Sequence, residues 1–349
     1  MTMDDSPASL RGLRLRWGWM TVMLAVLLAA MVAGITIGPA GISAGQVVAE
    51  LVGAGLAGRP STLSGIQQAI IWEIRLPRVV LGGLVGCLLA LAGASYQGVF
   101  RNPLADPYLL GVAAGGGLGA TVVIALVPGA AATMMPLAAF VGALVAVALT
   151  YTVGRSMGGR SAVSLILAGV AVAAFFTAIQ TYIMQTNADT IRQVYSWILG
   201  LLATTGWSEV LVLVPYAIVC GIGLLLHRRL LDVMSVGDEE VDSLGVSATR
   251  VRITVVIFST LATAAAVAVS GLIGFVGIVI PHTVRLVIGV SYRSLIPVSM
   301  IAGAAFLILA DLVARTVASP AELPIGVITA FVGAPFFLIV LRTTRRYVM

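Results

Sequence analysis

Ten long apolar runs are separated by short segments that contain most of the charged residues. About 20 apolar residues let a helix cross the hydrocarbon core of a membrane, which is about 30 Å thick. Lipid offers no partner for backbone polar groups, so a chain that crosses it repeatedly must form helices or a closed barrel. Only 10% of the residues are charged, well below the roughly 25% of soluble domains. We therefore predict an all-α, multi-pass membrane protein with one transmembrane domain over residues 1–349.

The predicted spans cover residues 17–37, 79–99, 108–127, 135–154, 163–184, 207–227, 253–270, 274–290, 295–313 and 325–341. Ser270-Gly271 and Gly274 interrupt the apolar run that contains the seventh and eighth spans and divide it into shorter pieces. The first run is too long for a signal peptide and lacks a small-residue cleavage site. It is predicted to be a retained span that follows a polar tail, residues 1–16.

The arginines predict the orientation of the chain. All 20 basic residues are arginine. If the N-terminus is cytosolic, only Arg59, Arg75, Arg78, Arg192 and Arg315 fall outside, and all the others lie in cytosolic segments. Basic residues concentrate on the cytosolic side of membrane proteins. Both termini and residues 230–252 are therefore predicted to be cytosolic.

Several function classes are excluded by what the sequence lacks. Without lysine, the chain has neither a Walker A phosphate loop nor a Schiff-base lysine. The arginines are scattered between apolar runs and form no basic stripe for nucleic acid. Apart from Asp311 near a span end, no carboxylate falls in the middle of a predicted span, where ion-coupled carriers usually keep ionisable groups. Energy for any transport must then come from elsewhere.

The segment 230–252, LLDVMSVGDEEVDSLGVSATRVR, carries a cluster of acidic residues. It predicts two short helices joined by a tight turn. Asp238 would cap the first helix, Gly245 would end it, and Ser247 would cap the second. Two interpretations remain open: a solvated connection between spans, or a docking element for a cytosolic partner.

Three arginines on the predicted outer side also allow two interpretations. Arg75 and Arg78 flank the start of the second span, and Arg315 ends the ninth. They either snorkel to the headgroup level or form cationic sockets for acidic groups on an external protein. Asp311 could pair with Arg315, which is four residues further on.

Other irregular segments interrupt or connect the spans. Pro103 and Pro107 forbid a continuous helix between spans two and three, which indicates unwound backbone at a gate or constriction. Residues 185–206 predict a short amphipathic external helix, with aromatic anchoring as the alternative. His282 and Arg285 share one helix face after Pro281. A lone histidine is a poor metal site, so we expect a structural hydrogen bond there and no metal.

Seven motifs together resemble the FecCD-type permeases of bacterial ABC importers for iron–siderophores, haem and cobalamin. The motifs are RLPR (75–78), Gln97 with RNPLADPYLLGV (101–112), LILAGV (165–170), GDEEVDSLGV (237–246), SGLIGFVGIVIPHTVR (270–285), ADLVAR (310–315) and AELPIGV…GAPFF (321–337). The resemblance runs from about Arg75 to the C-terminus.

The resemblance implies a type II ABC importer permease fold in the bacterial inner membrane. It also implies a second permease copy or a sister subunit, two cytosolic ATPase subunits and an external substrate-binding protein. The chain itself would be no enzyme and would bind no cofactor, because ATP and magnesium belong to the ATPase.

Site residues follow from the resemblance as well. Arg75, Arg78 and Arg315 match arginines that dock the binding protein, and residues 230–252 match coupling helices on the ATPase. The matched coupling residues are Gly237, Asp238, Glu239, Glu240, Leu244, Gly245 and Val246. A cytosolic gate is matched by Asn102, Pro103 and Leu104. Ala162 and Val163 match a second gate position, where some relatives have small polar residues instead. Spans five and ten would line the route.

The resemblance implies a ferric siderophore as the first candidate cargo, with haem or cobalamin as the alternative. A secondary transporter that works without ATP is the alternative from another class. An intramembrane enzyme is a third interpretation, for which the sequence shows no catalytic set.

Overall fold

The computed structural model describes residues 17–345 apart from residues 39, 40, 57, 59, 62, 128, 130, 157–161 and 203–205. The predicted tail, residues 1–16, lies outside this part. The regular elements of the described residues are all helical. The α-helices are α1 Trp17–Thr36, α2 Ala44–Ala49, α3 Gly65–Ala69, α4 Leu76–Val99, α5 Val112–Leu126, α6 Ala131–Ser156, α7 Ala162–Thr186, α8 Ile191–Ile198, α9 Ser208–Met234, α10 Asp238–Ser243, α11 Ala248–Ser270, α12 Val276–Ile288, α13 Tyr292–Thr316 and α14 Ile325–Arg345. Single π-helical turns, Glu50–Leu56 and Ile70–Arg75, follow α2 and α3.

Among the described residues, seven helical stretches are long and apolar enough to cross a membrane. One runs without a break from the start of α3 to the end of α4, and the other six are α1, α6, α7, α9, α11 and α13. Helices α5, α12 and α14 are apolar but shorter. These ten coincide one by one with the ten predicted spans. The all-α, multi-pass prediction is confirmed.

The predicted interruptions of the helices are confirmed too. Helix α11 ends at Ser270, and the next residue, Gly271, has a left-handed φ of 67°. Helix α12 begins only after Phe275, a non-glycine residue with φ 69°. Residues 100–111 lie outside the helices, as the two prolines require.

The segment 230–252 differs from its prediction in two respects. It contains one short helix, α10, because the second predicted helix is the first turn of the long α11. Asp238 is the first residue of α10 and not its cap, since Gly237 precedes the helix with φ 129°. The other two predictions hold: Gly245 has φ 78° where α10 ends, and the Ser247 hydroxyl accepts the backbone N–H of Arg250 at 3.3 Å.

Helix α4 is the centre of the bundle, and most of its residues are buried, among them Leu81, Leu88 and Tyr96. Pairs of glycines let its backbone approach its neighbours. A Cβ atom on Gly86 would overlap the carbonyl of Gly303 in α13, and one on Gly93 would overlap the carbonyl of Gly277 in α12. Close backbone approach of this kind replaces the hydrophobic driving force that lipid does not supply.

The outer helices leave broad apolar faces uncovered. Only 33% of the α7 span is buried, and it exposes Leu167, Phe175 and Tyr182. Helix α14 exposes Phe331 and Leu338. Such surfaces require lipid or another protein.

Candidate functional site

Arg78, at the start of α4, is held between two carboxylates. Its Nε lies 3.1 Å from both oxygens of Asp311, and its Nη2 lies 2.8 Å from Asp311 Oδ1. Its Nη1 and Nη2 donate to the two oxygens of Glu322, each at 3.0 Å. Asp311 also lies 3.6 Å from Arg315 Nε, so the predicted pairing of these two residues is confirmed. Asp311 is therefore the buried anion that holds two guanidinium groups in place.

Arg75 and Arg315 bind the end of α1. Arg75 Nη1 donates to the carbonyls of Ile35 at 2.9 Å and Thr36 at 3.2 Å. Arg315 donates a short hydrogen bond to the carbonyl of Gly34. The last carbonyls of a helix lack intrahelical partners and carry partial negative charge, so two arginines stabilise this end.

The structure thus brings the three arginines of the predicted docking site together, but not as open sockets. Only 4% of Arg75 and 6% of Arg315 is exposed, and the Arg78 side chain is 12% exposed beneath Glu322. Snorkelling does not describe them, since their charged groups bind protein atoms. We call the five residues Arg75, Arg78, Arg315, Asp311 and Glu322 the arginine cluster. Its role in docking stays a prediction.

A second charged cluster lies at the other end of α4, whose 24 residues span about 36 Å. Asp238 Oδ1 lies 3.2 Å from Arg101 Nη2, and Asp238 Oδ2 lies 2.8 Å from Arg252 Nη2. Arg101 belongs to the unwound segment after α4 and has a left-handed φ of 48°. One carboxylate therefore connects the unwound segment, α10 and α11.

Part of the predicted coupling segment forms an exposed edge beside this ion-paired carboxylate. Leu244 is 66% exposed, Val236 is 58% exposed, and Glu240 also faces solvent. The side chains of Glu239 and Asp242 lie outside the described part of the structure. This edge therefore presents two apolar side chains and one carboxylate to solvent.

Local hydrogen bonds fix the unwound segment. Asn102 Oδ1 accepts the backbone N–H of Leu104 at 2.9 Å, a turn that Asn-Pro favours, and Pro103 between them is exposed. The Tyr108 hydroxyl donates to the carbonyl of Ile273 at 3.1 Å. Tyr108 consequently ties the unwound segment to the break between α11 and α12.

Asp106 sits inside the same segment. Its Oδ1 accepts the backbone N–H of Tyr108 at 2.7 Å. Burial raises the pKa of the Asp106 carboxyl to about 6, although this hydrogen bond opposes the rise. The sequence motif does not predict that this carboxyl is partly buried.

Two clefts follow α7 and α14, the helices of predicted spans five and ten. The first has a volume of about 460 Å³ and is lined by Tyr108, Gly111, Ala113, Ala114, Ala173, Thr177, Gln180, Thr181, Met184, Tyr195, Ile198 and Leu272. The second has a volume of about 490 Å³ and is lined by Leu199, Gly326, Val327, Ala330, Phe331, Ala334 and Pro335. Ile198, the last residue of the predicted external helix α8, lines the first cleft, and Leu199 lines the second.

The first cleft contains the amide of Gln180, which donates to Thr121 Oγ1 at 3.0 Å. At the start of α7, Val163 is 64% exposed. The side chain of Ala162, the other residue of the second predicted gate, lies outside the described residues. The structure supplies no contact that assigns a gating role to either.

The proline–histidine motif has a structural role different from the expected one. His282 Nδ1 has no hydrogen-bond partner among the described residues, so this nitrogen does not make the predicted hydrogen bond. The ring instead packs edge-on against Phe336, with centroids 5.8 Å apart. Arg285 Nη2 donates to Gln97 Oε1 at 3.1 Å and to the Tyr292 hydroxyl at 3.3 Å. This arginine connects α12 to α4 and α13.

Sequence reasoning missed three contacts here: Glu322 with Arg78, Arg101 with Asp238, and Phe275 with Gly333. A Cβ atom on Gly333 would overlap the Phe275 ring. Glu322 could have been noticed as a charged residue inside a recognised motif. The other pairs are far apart in sequence, and no local pattern connects them.

Known proteins share both the sequence and the fold. The model of the FecCD transport family matches residues 21–343. The cobalamin import system permease protein BtuC of Halobacterium salinarum is 42% identical over 275 residues, which cover 79% of this chain and 74% of that protein. The hemin transport system permease protein HmuU of Yersinia pestis is 41% identical over 277 residues, which cover 77% of this chain and 82% of that protein.

A solved ABC transporter of metal-chelate type, in an inward-facing conformation, has a TM-score of 0.81 and 30% identity. The match covers 93% of this chain and 98% of that one. The helical bundle is thus the fold of a type II ABC importer permease. The chain belongs to the FecCD transport family, whose members are the membrane permease subunits of ABC importers.

Proposed function

We propose that this chain carries a metal chelate into the cytoplasm as the permease of an ATP-driven importer, with a ferric siderophore as the first candidate cargo. Relatives that match over more than three quarters of the chain are import permeases for cobalamin and hemin. Others serve iron–hydroxamate and iron–citrate import. All of these cargoes are large metal chelates. Haem or cobalamin is the alternative cargo.

The observation that carries an ATP-driven mechanism is the cluster around Asp238. Ion pairs from Asp238 to Arg101 and Arg252 hold α10 against the unwound segment and α11. Val236, Glu240 and Leu244 remain exposed for a partner. In the proposed orientation this edge is cytosolic and docks an ATPase subunit. ATP and magnesium bind to that subunit, and this chain needs no cofactor.

Two copies of the permease form the pathway in this proposal. The exposed apolar faces of α7 and α14 support it, because the clefts along them are open on one side in a single chain. The first cleft presents Thr177, Gln180 and Thr181 among apolar and small residues. Such a wall binds a large chelate weakly and permits its release. A sister permease in place of the second copy would meet the same faces.

The arginine cluster is the proposed docking point for the external binding protein. Three guanidinium groups and two carboxylates leave a net positive charge there. Arginine forks bind carboxylates with two parallel hydrogen bonds, which suits acidic residues on a partner.

Uptake by cells tests the proposed cargo. Strains with and without this gene would be supplied with labelled iron–siderophore, haem and cobalamin. We expect loss of iron–siderophore uptake, restored by a plasmid copy, while the other two cargoes are unaffected. Selective loss of haem or cobalamin would assign the alternative cargo. If the deletion reduced none of the three, the proposed cargo class would be wrong.

A further inference from the structure

Glu322 is the accessible member of the arginine cluster. It lies between α13 and α14, and its side chain is 41% exposed. Its two oxygens bind Nη1 and Nη2 of Arg78, each at 3.0 Å. Since the Arg78 side chain is only 12% exposed, Glu322 covers the outward edge of this guanidinium group.

Asp311 and Glu322 hold Arg78 in different ways. Asp311 is 4% exposed, binds Nε and Nη2, and also neutralises Arg315. Breaking a buried pair of this kind leaves an uncompensated charge and is strongly unfavourable. Glu322 lies at the surface, where water can replace either partner and an ion pair contributes little. The Glu322 contact is therefore the one that can open.

The backbone beside Glu322 permits opening by a side-chain rotation alone. The N–H of Leu323 donates to the carbonyl of Ala314 at 2.9 Å, which fixes the segment against the end of α13. A glutamate has three rotatable side-chain bonds, so its carboxylate can leave while this hydrogen bond stays. Arg78 would keep its place because Asp311 still holds it.

We propose that Glu322 occupies the carboxylate-binding edge of Arg78 and is displaced by an acidic side chain of the external binding protein. This inference rests on the proposed docking function of the arginine cluster. The edge that Glu322 covers, Nη1 with Nη2, is the one on which an incoming carboxylate forms two parallel hydrogen bonds. One carboxylate replaces another, so the exchange keeps Arg78 paired throughout. The contact thereby weakens docking and restricts it to partners that present a carboxylate.

The test is the affinity of the purified importer in lipid nanodiscs for its binding protein, defined as the external subunit that stimulates its ATP hydrolysis. Glu322→Gln removes the charge that competes for Arg78 while keeping the shape of the side chain. We expect the Kd to fall about threefold or more, with most of the change in the association rate. Asp189→Asn is the matched control, since it removes another exposed carboxylate on the predicted outer side. That variant should bind as the unmodified importer does.

Unchanged or weaker binding of the binding protein by Glu322→Gln would overturn the displacement model. An equal increase in affinity in Asp189→Asn would also overturn it, since the increase would then follow from net charge alone. Arg78→Gln separates this failure from failure of the docking site. If Arg78→Gln weakens binding but Glu322→Gln does not tighten it, the docking site stands and the displacement model is wrong. If Arg78→Gln, shown to be folded by gel filtration, binds normally, the docking assignment itself is wrong.

A second measurement needs no partner. Phenylglyoxal modifies accessible guanidinium groups, and peptide mass spectrometry reports the modification of Arg78. We expect several-fold faster modification of Arg78 in Glu322→Gln than in Asp189→Asn. Equal rates would show that Glu322 does not cover Arg78.

Discussion

Single glycines decide how closely α4 approaches its neighbours. Gly93 faces the backbone of α12, where a methyl group would overlap the carbonyl of Gly277. Gly83, ten residues earlier on the same helix, has more room: a Cβ atom there would lie 3.4 Å from Ile308 Cδ1, an ordinary contact. The two positions differ in packing although both are helical glycines.

This difference predicts opposite effects of the same substitution. Gly93→Ala should destabilise the protein by about 1–3 kcal/mol, since overpacking forces α12 away from α4. Gly83→Ala should leave stability unchanged or raise it by up to about 1 kcal/mol, because alanine favours helix more than glycine does. Thermal unfolding in detergent measures both. A Gly93→Ala protein as stable as Gly83→Ala would contradict the close packing of α4 on α12.

Charge and hydropathy in the sequence identify candidate site residues more reliably than they predict which residues these side chains contact. Arg75, Arg78 and Arg315 lie on the predicted outer side, against the usual concentration of basic residues on the cytosolic side. In the structure these three arginines share one site. Their contacts with the end of α1 and with Glu322 were not predictable, because they join residues dozens to hundreds of positions apart. Asp238 was recognised but interpreted as a helix cap, whereas tertiary ion pairs use its carboxylate.

At the scale of elements, an exposed ion pair joins the unwound segment to α10. The Arg101–Asp238 ion pair connects them, and Arg252 connects both to α11. In the proposed mechanism, movement of α10 on the ATPase reaches Asn102 and Leu104 through this contact. The exposed pair contributes at most about 1 kcal/mol to stability, so its loss should affect coupling more than folding.

Arg101→Gln tests this connection, with Arg250→Gln as the control that removes an exposed arginine from the first turn of α11. We expect Arg101→Gln to keep ATP hydrolysis but to transport several-fold less cargo per ATP in proteoliposomes. Arg250→Gln should keep the normal ratio. Equal ratios in the two variants would rule out coupling through Arg101.

The element boundaries show where local sequence rules suffice. The sequence correctly predicts helix interruptions at Pro103, Pro107 and Gly271. Proline prevents a continuous helix, and glycine permits the left-handed backbone that ends one. The prediction of a second short helix in residues 230–252 is wrong. Ser247 does cap a helix, but the apolar residues that follow extend this helix, α11, to Ser270. Phe275 has a left-handed φ of 69°, which no sequence pattern signals. Its packing against Gly333 is a tertiary contact.

The whole molecule has two charged ends and two open apolar faces. The arginine cluster occupies one end of α4 and the Asp238 cluster the other. The faces of α7 and α14 run between them, beside clefts of about 460 and 490 Å³. In the proposed function, this division gives external docking, ATPase docking and passage of cargo to separate surfaces of one helical bundle. It also explains why the described spans contain few ionisable groups: the energy is proposed to enter through α10.

Uptake by proteoliposomes that contain this permease, its ATPase subunits and the binding protein tests the central claim most directly. Labelled cargo would be followed with ATP inside the vesicles, without ATP, and with a proton gradient alone. We predict uptake that requires ATP and is insensitive to collapse of the gradient. Uptake driven by the gradient without ATP would contradict the importer mechanism and favour a secondary transporter.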